Sequence, residues 1–425
     1  MKREIAIFIL CLLLLSTTSA YAQVEKEPIK VGEINPLTGR FAKQGQALHE
    51  GILYAIEEAN KKGGIDGRNI TLITRDDESK PEVAIAKAEE LAIKEKVVAV
   101  VGGYVDSLVG PISEVCDKNK VPYIAPASLQ RELTQKNRTY FFRVSSLDAY
   151  VETMTGVVLD VFKAKKVAIL YSSTPGSTQL AEEQKALLET RGVEVVVYEM
   201  GTSGASDFSP LLTKVKDKQA EVVLSDFFLG DHMIMVRQLK EQNINIKAYV
   251  GAFGVEYAEF IANLGNTSEY IYGTTVWEAN ITWPGTENET FSYIAGYKAR
   301  FGKEPDPLSM HGYTSARALI AAIENTVKKG KELTGENIRD ELREIDIITP
   351  MERVKFDSYG DPLYYPRLLF QIQNGSHAVV YPLNRATAKA IYPMPPWSAP
   401  RASGFEAALL VVALAALLVE RKIRK

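Results

Sequence analysis

The chain has 425 residues, of which 46% are hydrophobic and 24% are charged. These values are typical of a globular protein, and the length is sufficient for two domains of ordinary size. The formal net charge of -3 offers no basic surface of the kind that nucleic acids require, which argues against a nucleic-acid partner.

The first 22 residues are predicted to be a signal peptide. Lys2 and Arg3 form a basic start, residues 5–15 form an apolar run that is too short to span a membrane, and residues 20–22 fit a small-x-small cleavage site. We therefore expect the mature chain to begin just after this segment. The alternative is an uncleaved anchor.

Cysteine and asparagine usage agree with export from the cytoplasm. Once the signal peptide is removed, Cys116 is the remaining cysteine, so no intramolecular disulfide can form. A lone thiol is usually a small buried hydrophobe. Sequons for N-linked glycans suit an extracytoplasmic surface and predict a glycoprotein. They begin at Asn69, Asn137, Asn266, Asn280, Asn288 and Asn374.

Residues 29–64 predict one strand, one loop and one helix. The apolar run at residues 29–34 is of strand type, and residues 35–46 are rich in the glycine and proline of a loop. Apolar residues between 48 and 59 recur with helical period, and the helix is expected to stop at Gly63. A second strand follows, which predicts a parallel pair with a crossover helix. Ligands bind at the carboxyl ends of such strands, where the predicted loop lies.

The alternation of strands and helices then continues in two series. One runs to about residue 125 and the other from about 151 to 276, which predicts two α/β lobes with mostly parallel sheets. A third part returns to helices. Strands are predicted at 70–74, 97–101, 121–125, 166–171, 194–198, 221–225, 247–250, 271–276 and 367–373, and the later helices at 289–301, 310–329 and 334–343.

The C-terminus combines a spacer with an apolar segment. Prolines predict a stiff, unfolded spacer over residues 391–404. Residues 405–425 hold Phe-Glu, a short apolar run and a basic tail. With the preceding glycine they resemble an archaeal C-terminal sorting signal, in which proline stands where this chain has Ser403. The resemblance implies removal of the tail and a lipid anchor, whereas a retained tail would itself be the anchor. Either would tether the chain to the outer face of the membrane.

Six local motifs in this order resemble the periplasmic Leu/Ile/Val-binding proteins, which have the type I solute-binding fold. They lie at residues 29–45, 59–67, 75–81, 100–111, 121–127 and 142–148. The resemblance covers about residues 28–390. It implies an α/β fold with two Rossmann-like lobes joined by a three-strand hinge. Lobe one would hold 28–146 and 278–352, and lobe two 147–277 and 353–390. An ABC permease and its ATPase would bind the closed form.

The resemblance also places ligand contacts in lobe one. A ligand carboxylate would sit at a helix N-terminus, where this chain has Asp106 and Ser107. The alternative is that one of these two residues is the N-cap of that helix. Ala127 corresponds to the carbonyl that accepts a ligand ammonium. Leu129 replaces the family's threonine, so Ser128 would have to supply a hydroxyl instead.

In lobe two, the family's acidic partner of the ammonium falls on Phe253, and an aromatic position falls near Phe228. A buried ammonium without a carboxylate would be costly. Either Asp226, Glu256 or Asp106 replaces the acid, or the ligand has no α-ammonium. Aromatic residues near strand ends predict an aromatic-lined cleft, although each could equally be a core residue. They are Phe41, Tyr104, Phe228, Phe253 and Trp277, and Gln44 lies beside Phe41 on the first loop.

Catalytic motifs are missing from the sequence. His49, His232, His311 and His377 are scattered, and no zinc-binding pair, nucleophile elbow or phosphate-binding loop occurs. We therefore predict no enzyme activity, metal or cofactor. The expected function is to bind a small organic solute, an amino acid or related carboxylate or amide, with aromatic ligands included, for an ABC importer. The alternative is the ligand-sensing ectodomain of a receptor system.

Overall fold

A computed structural model describes residues 26–397, apart from residues 137 and 280. The signal peptide predicted for residues 1–22 and the anchor predicted for residues 405–425 lie outside the described residues. So do two of the sequon asparagines, Asn137 and Asn280. The other four sequon asparagines are exposed.

The first sheet consists of five parallel strands in the order β2-β1-β3-β4-β5. The helices between them connect parallel strands of the same sheet, and β1 lies between β2 and β3, which follow each other in the chain. The strands are β1 (Ile29–Asn35), β2 (Ile70–Asp76), β3 (Ala99–Gly102), β4 (Tyr123–Ala125) and β5 (Phe141–Arg143), and the helices are α1 (Ala42–Lys61), α2 (Pro81–Glu89, followed by a π-helical turn at Glu90–Glu95), α3 (Asp106–Lys118) and α4 (Glu132–Gln135).

The second sheet has seven strands in the order β14-β13-β10-β9-β8-β6-β7. β6 to β10 are parallel, whereas β13 runs antiparallel to β10. The strands are β6 (Lys166–Ser172), β7 (Glu194–Gly201), β8 (Val222–Asp226), β9 (Ala248–Gly251), β10 (Tyr272–Thr275), β13 (Leu368–Gln373) and β14 (Ser376–Tyr381). The helices are α5 (Leu147–Gly156, followed by a π-helical turn at Val157–Phe162), α6 (Pro175–Thr190), α7 (Ser209–Asp217), α8 (Leu229–Glu241) and α9 (Ala258–Leu264, followed by a 3-10 turn at Gly265–Ser268).

After β10 the chain returns to the first sheet with three helices, and a two-stranded ribbon then leads to β13. The helices are α10 (Glu287–Phe301), α11 (Pro307–Lys328) and α12 (Gly335–Glu344), and the ribbon is β11 (Ile347–Ile348) with β12 (Arg353–Val354). α11 packs closely on α1, and the lack of a side chain at Gly51 permits this approach. A Cβ added at Gly51 would lie only 1.9 Å from the carbonyl oxygen of Ser309. We call the first sheet with α1–α4 and α10–α12 the first lobe, and the second sheet with α5–α9 the second lobe.

Two differences from the sequence prediction concern the first loop and the C-terminal spacer. The loop expected over residues 35–46 is shorter, because α1 begins at Ala42 with Phe41 as its N-cap. The spacer expected over residues 391–404 is not isolated in its first part. Met394 and Trp397 are buried against the second lobe, and the indole N–H of Trp397 donates to the carbonyl of Ile244 at 2.8 Å. A large ring can bury its apolar area there, which outweighs the stiffness of the neighbouring prolines.

A candidate ligand-binding cavity between the lobes

A cavity lies between the two sheets at the carboxyl ends of their parallel strands. Its walls come from the loops after β3, β4, β6, β8 and β9, from the start of α11 and from the residues before β13. The empty space between the walls, mouth included, is about 640 Å³, and the centre of a water molecule can occupy about 60 Å³ of it. A cavity of this size can enclose one small organic molecule.

Aromatic rings form the apolar part of the wall. Tyr104 comes from the first lobe, and Phe228 and Phe253 come from the second. The rings of Phe228 and Phe253 are stacked with centroids 5.7 Å apart. Phe41 contacts Tyr104 and Phe228 edge-on, with centroid distances of 5.4 and 5.6 Å. Aromatic contacts therefore join the two lobes across the cleft.

Asp106 is held by the backbone of its own lobe. It is the first residue of α3, and one of its carboxylate oxygens accepts the N–H groups of Leu129 and Gln130, each at 2.7 Å. Burial raises the pKa of this carboxyl above its ordinary value, while the two N–H groups lower it. The predicted N-cap role is wrong, because Val105 is the N-cap and no side-chain hydrogen bond caps the helix.

Val105 has a strained backbone beside the cavity. Its φ of 62° is rare for a β-branched residue, and it is held there by an N–H bond to the carbonyl of Ala127 at 3.1 Å. The Ala127 carbonyl, which the resemblance assigned to a ligand ammonium, thus already accepts one hydrogen bond. Ser128 differs, because its hydroxyl is buried in the wall and has no hydrogen-bond partner among the described residues. That hydroxyl is available to a ligand.

Glu256 is an acidic wall residue of the second lobe. One carboxylate oxygen accepts the N–H of Gly254 at 2.6 Å. Burial raises the pKa of Glu256 to about 7, although the charge of Arg367 acts in the opposite direction. A carboxyl with this pKa changes its charge near neutral pH. Asp226, the other second-lobe acid considered from the sequence, is fully buried in β8, next to Gln184, and is not part of the wall.

A chain of hydrogen bonds crosses the cavity on the side where β10 ends and β13 begins. We call this the hinge side, because the chain passes between the lobes there. Arg367 donates to the hydroxyl of Tyr365 at 2.8 Å, and that hydroxyl lies 2.8 Å from Nε2 of His311 in the first lobe. Nδ1 of His311 donates to the carbonyl of Pro307 at 2.9 Å. Burial lowers the pKa of His311 to about 3. The imidazole is therefore neutral at pH 7, and Nε2 accepts the Tyr365 hydroxyl proton.

The residues proposed from the sequence divide into two groups. The cavity wall contains Tyr104, Asp106, Ala127, Ser128, Leu129, Phe228 and Phe253. Phe41 reaches the cavity only through the rings it contacts. Gln44 in α1 and Ser107 in α3 lie outside the wall. Trp277 is also outside, since it is buried in the first lobe with its ring 6.1 Å from Tyr293. Which wall residues contact a ligand stays a prediction.

The wall residues that were missed from the sequence include Tyr150, His311, Tyr365 and Arg367. The sequence carried one usable signal for this group, an arginine directly before a continuous apolar run at residues 368–370. Among the described residues, no cluster of three or more histidine, cysteine or acidic side chains could hold a metal ion. In the same part of the chain, no helix combines the length and apolar character needed to cross a bilayer.

Comparison with known proteins agrees with this architecture. The family model described as "Periplasmic binding protein" matches residues 28–376. An "Amino acid binding protein" of Pseudomonas aeruginosa is 30% identical over 338 residues, which are 78% of this chain and 87% of that protein. A leucine-, isoleucine-, valine-, threonine- and alanine-binding protein of the same organism is 26% identical, over 79% of this chain and 87% of that protein.

A solved structure shares the fold. The leucine-binding protein LivK of Thermotoga maritima superposes with a TM-score of 0.75 at 24% identity, and covers 84% of this chain and 99% of that one. This likeness confirms the predicted α/β fold with two mostly parallel sheets.

Proposed function

Since the chain belongs to the periplasmic binding protein family, which consists of solute-binding proteins and not of enzymes, we propose that it encloses a small organic solute between its lobes for an ABC importer. The observation that carries the proposal is that the cavity wall is shared by the two lobes at the carboxyl ends of both sets of strands. A solute in this cavity contacts both lobes at once.

Closure about a hinge would couple binding to delivery. A ligand that contacts both lobes binds the closed form more tightly, so it shifts the population toward closure. Polar contacts between the lobes outside the cavity support such a closed form. Arg40 donates to Ser203 at 2.6 Å, and Arg131 pairs with Glu183 at 2.7 Å. The permease and ATPase subunits would then recognise the closed surface.

The solute is proposed to be an amino acid or a related carboxylate or amide. The names of the two Pseudomonas relatives, which refer to amino acids, support this class. The stacked rings of Phe228 and Phe253 and the ring of Tyr104 favour an apolar or aromatic body. The free hydroxyl of Ser128 and the charges of Glu256 and Arg367 provide polar contacts for its other end.

We place the protein outside the cytoplasm, tethered to the outer face of the cell membrane and carrying glycans. The predicted signal peptide and anchor support this location. Four sequon asparagines, Asn69, Asn266, Asn288 and Asn374, are exposed, as glycan acceptors must be. Deletion of residues 405–425 is expected to release the protein into the medium, and a deleted form that still sediments with membranes would contradict the tether.

A ligand screen tests the proposed function. The mature chain is purified and its melting is followed with amino acids, aromatic acids and their amides, with glucose and AMP as control solutes. A bound solute should stabilise the fold by RT ln(1 + [L]/Kd), about 2.7 kcal/mol at a hundredfold excess over Kd. Small-angle scattering should show a more compact particle with the same solute. No response to any amino acid, acid or amide would contradict the proposal.

A further inference from the structure

Arg367 is a buried cation in the cavity wall. Only 7% of the residue is exposed. Its guanidinium carbon lies 3.3 Å from the ring centroid of Tyr150, so the ring covers one face of the cation. The residue stands directly before β13, which runs antiparallel to β10 at the hinge side of the cavity. Its side chain is therefore held in the cavity wall by the protein's own packing.

The hydrogen bonds of Arg367 leave part of the guanidinium unused. One terminal nitrogen donates to Thr274 at 3.3 Å and the other to Tyr365 at 2.8 Å. The Nε–H is buried and has no partner among residues 26–397 as described, and within that part of the chain Arg367 forms no ion pair. Both of its hydrogen-bond acceptors are neutral hydroxyls. A buried cation without an anionic partner is costly to the folded protein.

The acids of the wall do not supply that partner. Asp106 is bound by the N–H groups of Leu129 and Gln130. Glu256 is near enough for the charge of Arg367 to lower its pKa, but it forms no ion pair with Arg367 among the described residues. Its carboxylate accepts the N–H of Gly254, and its pKa of about 7 leaves it partly protonated at neutral pH. The carboxylate of Asp106 also fills the pair of N–H groups that could otherwise receive an anion in the first lobe. The cavity therefore lacks one negative charge beside Arg367.

We infer that Arg367 is the anchor for a carboxylate on the bound solute, and that this carboxylate lies at the hinge side of the second lobe and not at the N-terminus of α3. The inference rests on the proposed function. It names the substrate class, a carboxylic acid with an apolar or aromatic body. With the acid group at Arg367, the body extends toward Phe228 and Phe253, which form the apolar wall of the same lobe.

Matched pairs of acids and amides test this anchor. L-leucine is compared with L-leucinamide, L-phenylalanine with L-phenylalaninamide, and benzoate with benzamide, by calorimetry on the mature chain. The wild type should bind the acid of at least one pair ten times more tightly than the amide. Arg367→Gln should weaken binding of that acid at least tenfold and change binding of the amide by less than threefold. Arg367→Lys should lie between the two, because it keeps the charge but not the planar fork.

Arg385→Gln is the matched control. Arg385 also lies over an aromatic ring, 4.2 Å from the centroid of Trp283, and donates to the carbonyl of Thr282 at 2.7 Å, but it is outside the cavity wall. Its replacement should leave acid binding unchanged. The melting temperature of the ligand-free Arg367→Gln protein should equal or exceed that of the wild type, because the variant removes an unpaired buried charge. Should this variant fail to fold, Arg367→Lys carries the test.

The outcomes separate the anchor from the proposed function. Acid binding that is unchanged in Arg367→Gln, or a wild type that binds amides as well as acids, would overturn the anchor and leave solute binding intact. An equal loss for acid and amide would also overturn it, because a purely structural role of Arg367 does not distinguish the two. A panel in which no compound binds the wild type contradicts the proposed function, and the anchor with it.

Discussion

Gly176 offers a direct test of the closed arrangement. It is the second residue of α6 in the second lobe and faces two residues of the first lobe. A Cβ at this position would lie 2.2 Å from a carboxylate oxygen of Asp106 and 3.2 Å from Cβ of Leu129. Contacts below 3.0 Å are essentially never formed by real Cβ atoms. Gly176→Ala should therefore prevent the lobes from closing fully.

The expected size of the effect follows from this overlap. The carboxylate of Asp106 cannot swing away without losing the N–H groups of Leu129 and Gln130. The lobes must therefore separate by about 1 Å or accept strain, and overpacking of this kind costs about 1–3 kcal/mol. At 1.4 kcal/mol for each factor of ten, ligand affinity should fall by about fivefold to 150-fold.

The assay combines affinity with shape. Calorimetry with a solute identified by the screen should show the loss, and small-angle scattering should show a larger ligand-bound particle than that of the wild type. The free energy of unfolding of the ligand-free protein should not decrease, because alanine is favoured over glycine in a helix. Gly230→Ala in α8 of the same lobe is the control, since a Cβ there meets no atom within 4 Å.

Two results would refute the reasoning. Wild-type affinity in Gly176→Ala would mean that the two lobes do not meet at this point in solution. A double-mutant cycle with Asp106→Ala is sharper, because removal of the carboxylate removes most of the overlap. In that background Gly176→Ala should cost little affinity, and an undiminished cost would place the cause elsewhere.

Three further predictions concern the buried Trp277, the contact between the lobes and the buried acids. Trp277→Ala should lower the free energy of unfolding by about 3–5 kcal/mol in denaturant titrations. The ligand affinity of the folded variant should stay within a factor of two of the wild type. Lost affinity at unchanged stability would instead identify Trp277 as a ligand contact. Arg131→Met removes the ion pairs with Glu183 and Asp148 between the lobes and should weaken ligand binding by about two- to fivefold at low salt, with a smaller loss at 1 M salt. A salt-independent loss would contradict the electrostatic origin. Burial raises the pKa values of Asp77 and Glu256 to about 7, so both acids bind protons more tightly in the folded than in the unfolded chain. The unfolding free energy that they contribute should therefore fall as the pH rises from about 4 to 7 and level off above 7, at about 1.4 kcal/mol for each pH unit and each group. Urea titrations across this range should show a flatter curve for Glu256→Gln than for the wild type, and identical curves would contradict the assignment.

The fold could be predicted because its signals are local and repeated. Each apolar strand run is followed by glycine or proline and then by a helical pattern, and a parallel sheet is the architecture that such a series permits. The same logic places wall residues such as Tyr104, Ala127 and Phe228 near the cleft, since each comes directly after a strand. Whether a residue follows a parallel strand can be read directly from its position in the sequence.

The remaining part of the site depends on pairing between distant segments. Arg367 stands before a strand, and it reaches the cleft only because β13 is antiparallel to β10, so that Leu368 pairs with Thr275. Nothing local in the chain specifies that direction. Trp277 likewise follows a strand, but it turns into the first lobe beside Tyr293.

Asp106 shows a third limit. A carboxylate at the start of a helix favours an N-cap, yet the cap position is taken by Val105 in a backbone conformation that its type disfavours. The carboxylate is then free to accept the N–H groups of Leu129 and Gln130, which lie more than twenty residues away in the chain. Backbone preferences of the residue types cannot identify such a strained residue, because they predict a negative φ for valine.

The edge-on contacts of Phe41 and Tyr104 with Phe228 affect how often an ABC importer would meet the closed protein without a solute. These ring contacts between the lobes are made by side chains of the protein itself. Each such contact raises the resting fraction of closed, unloaded protein, and apparent affinity improves in proportion to the fraction that is already competent to bind. The same fraction competes for the permease without cargo. The ring contacts of Phe228 therefore favour binding of solute at low concentration, but they also increase how often the permease meets closed protein that carries no solute.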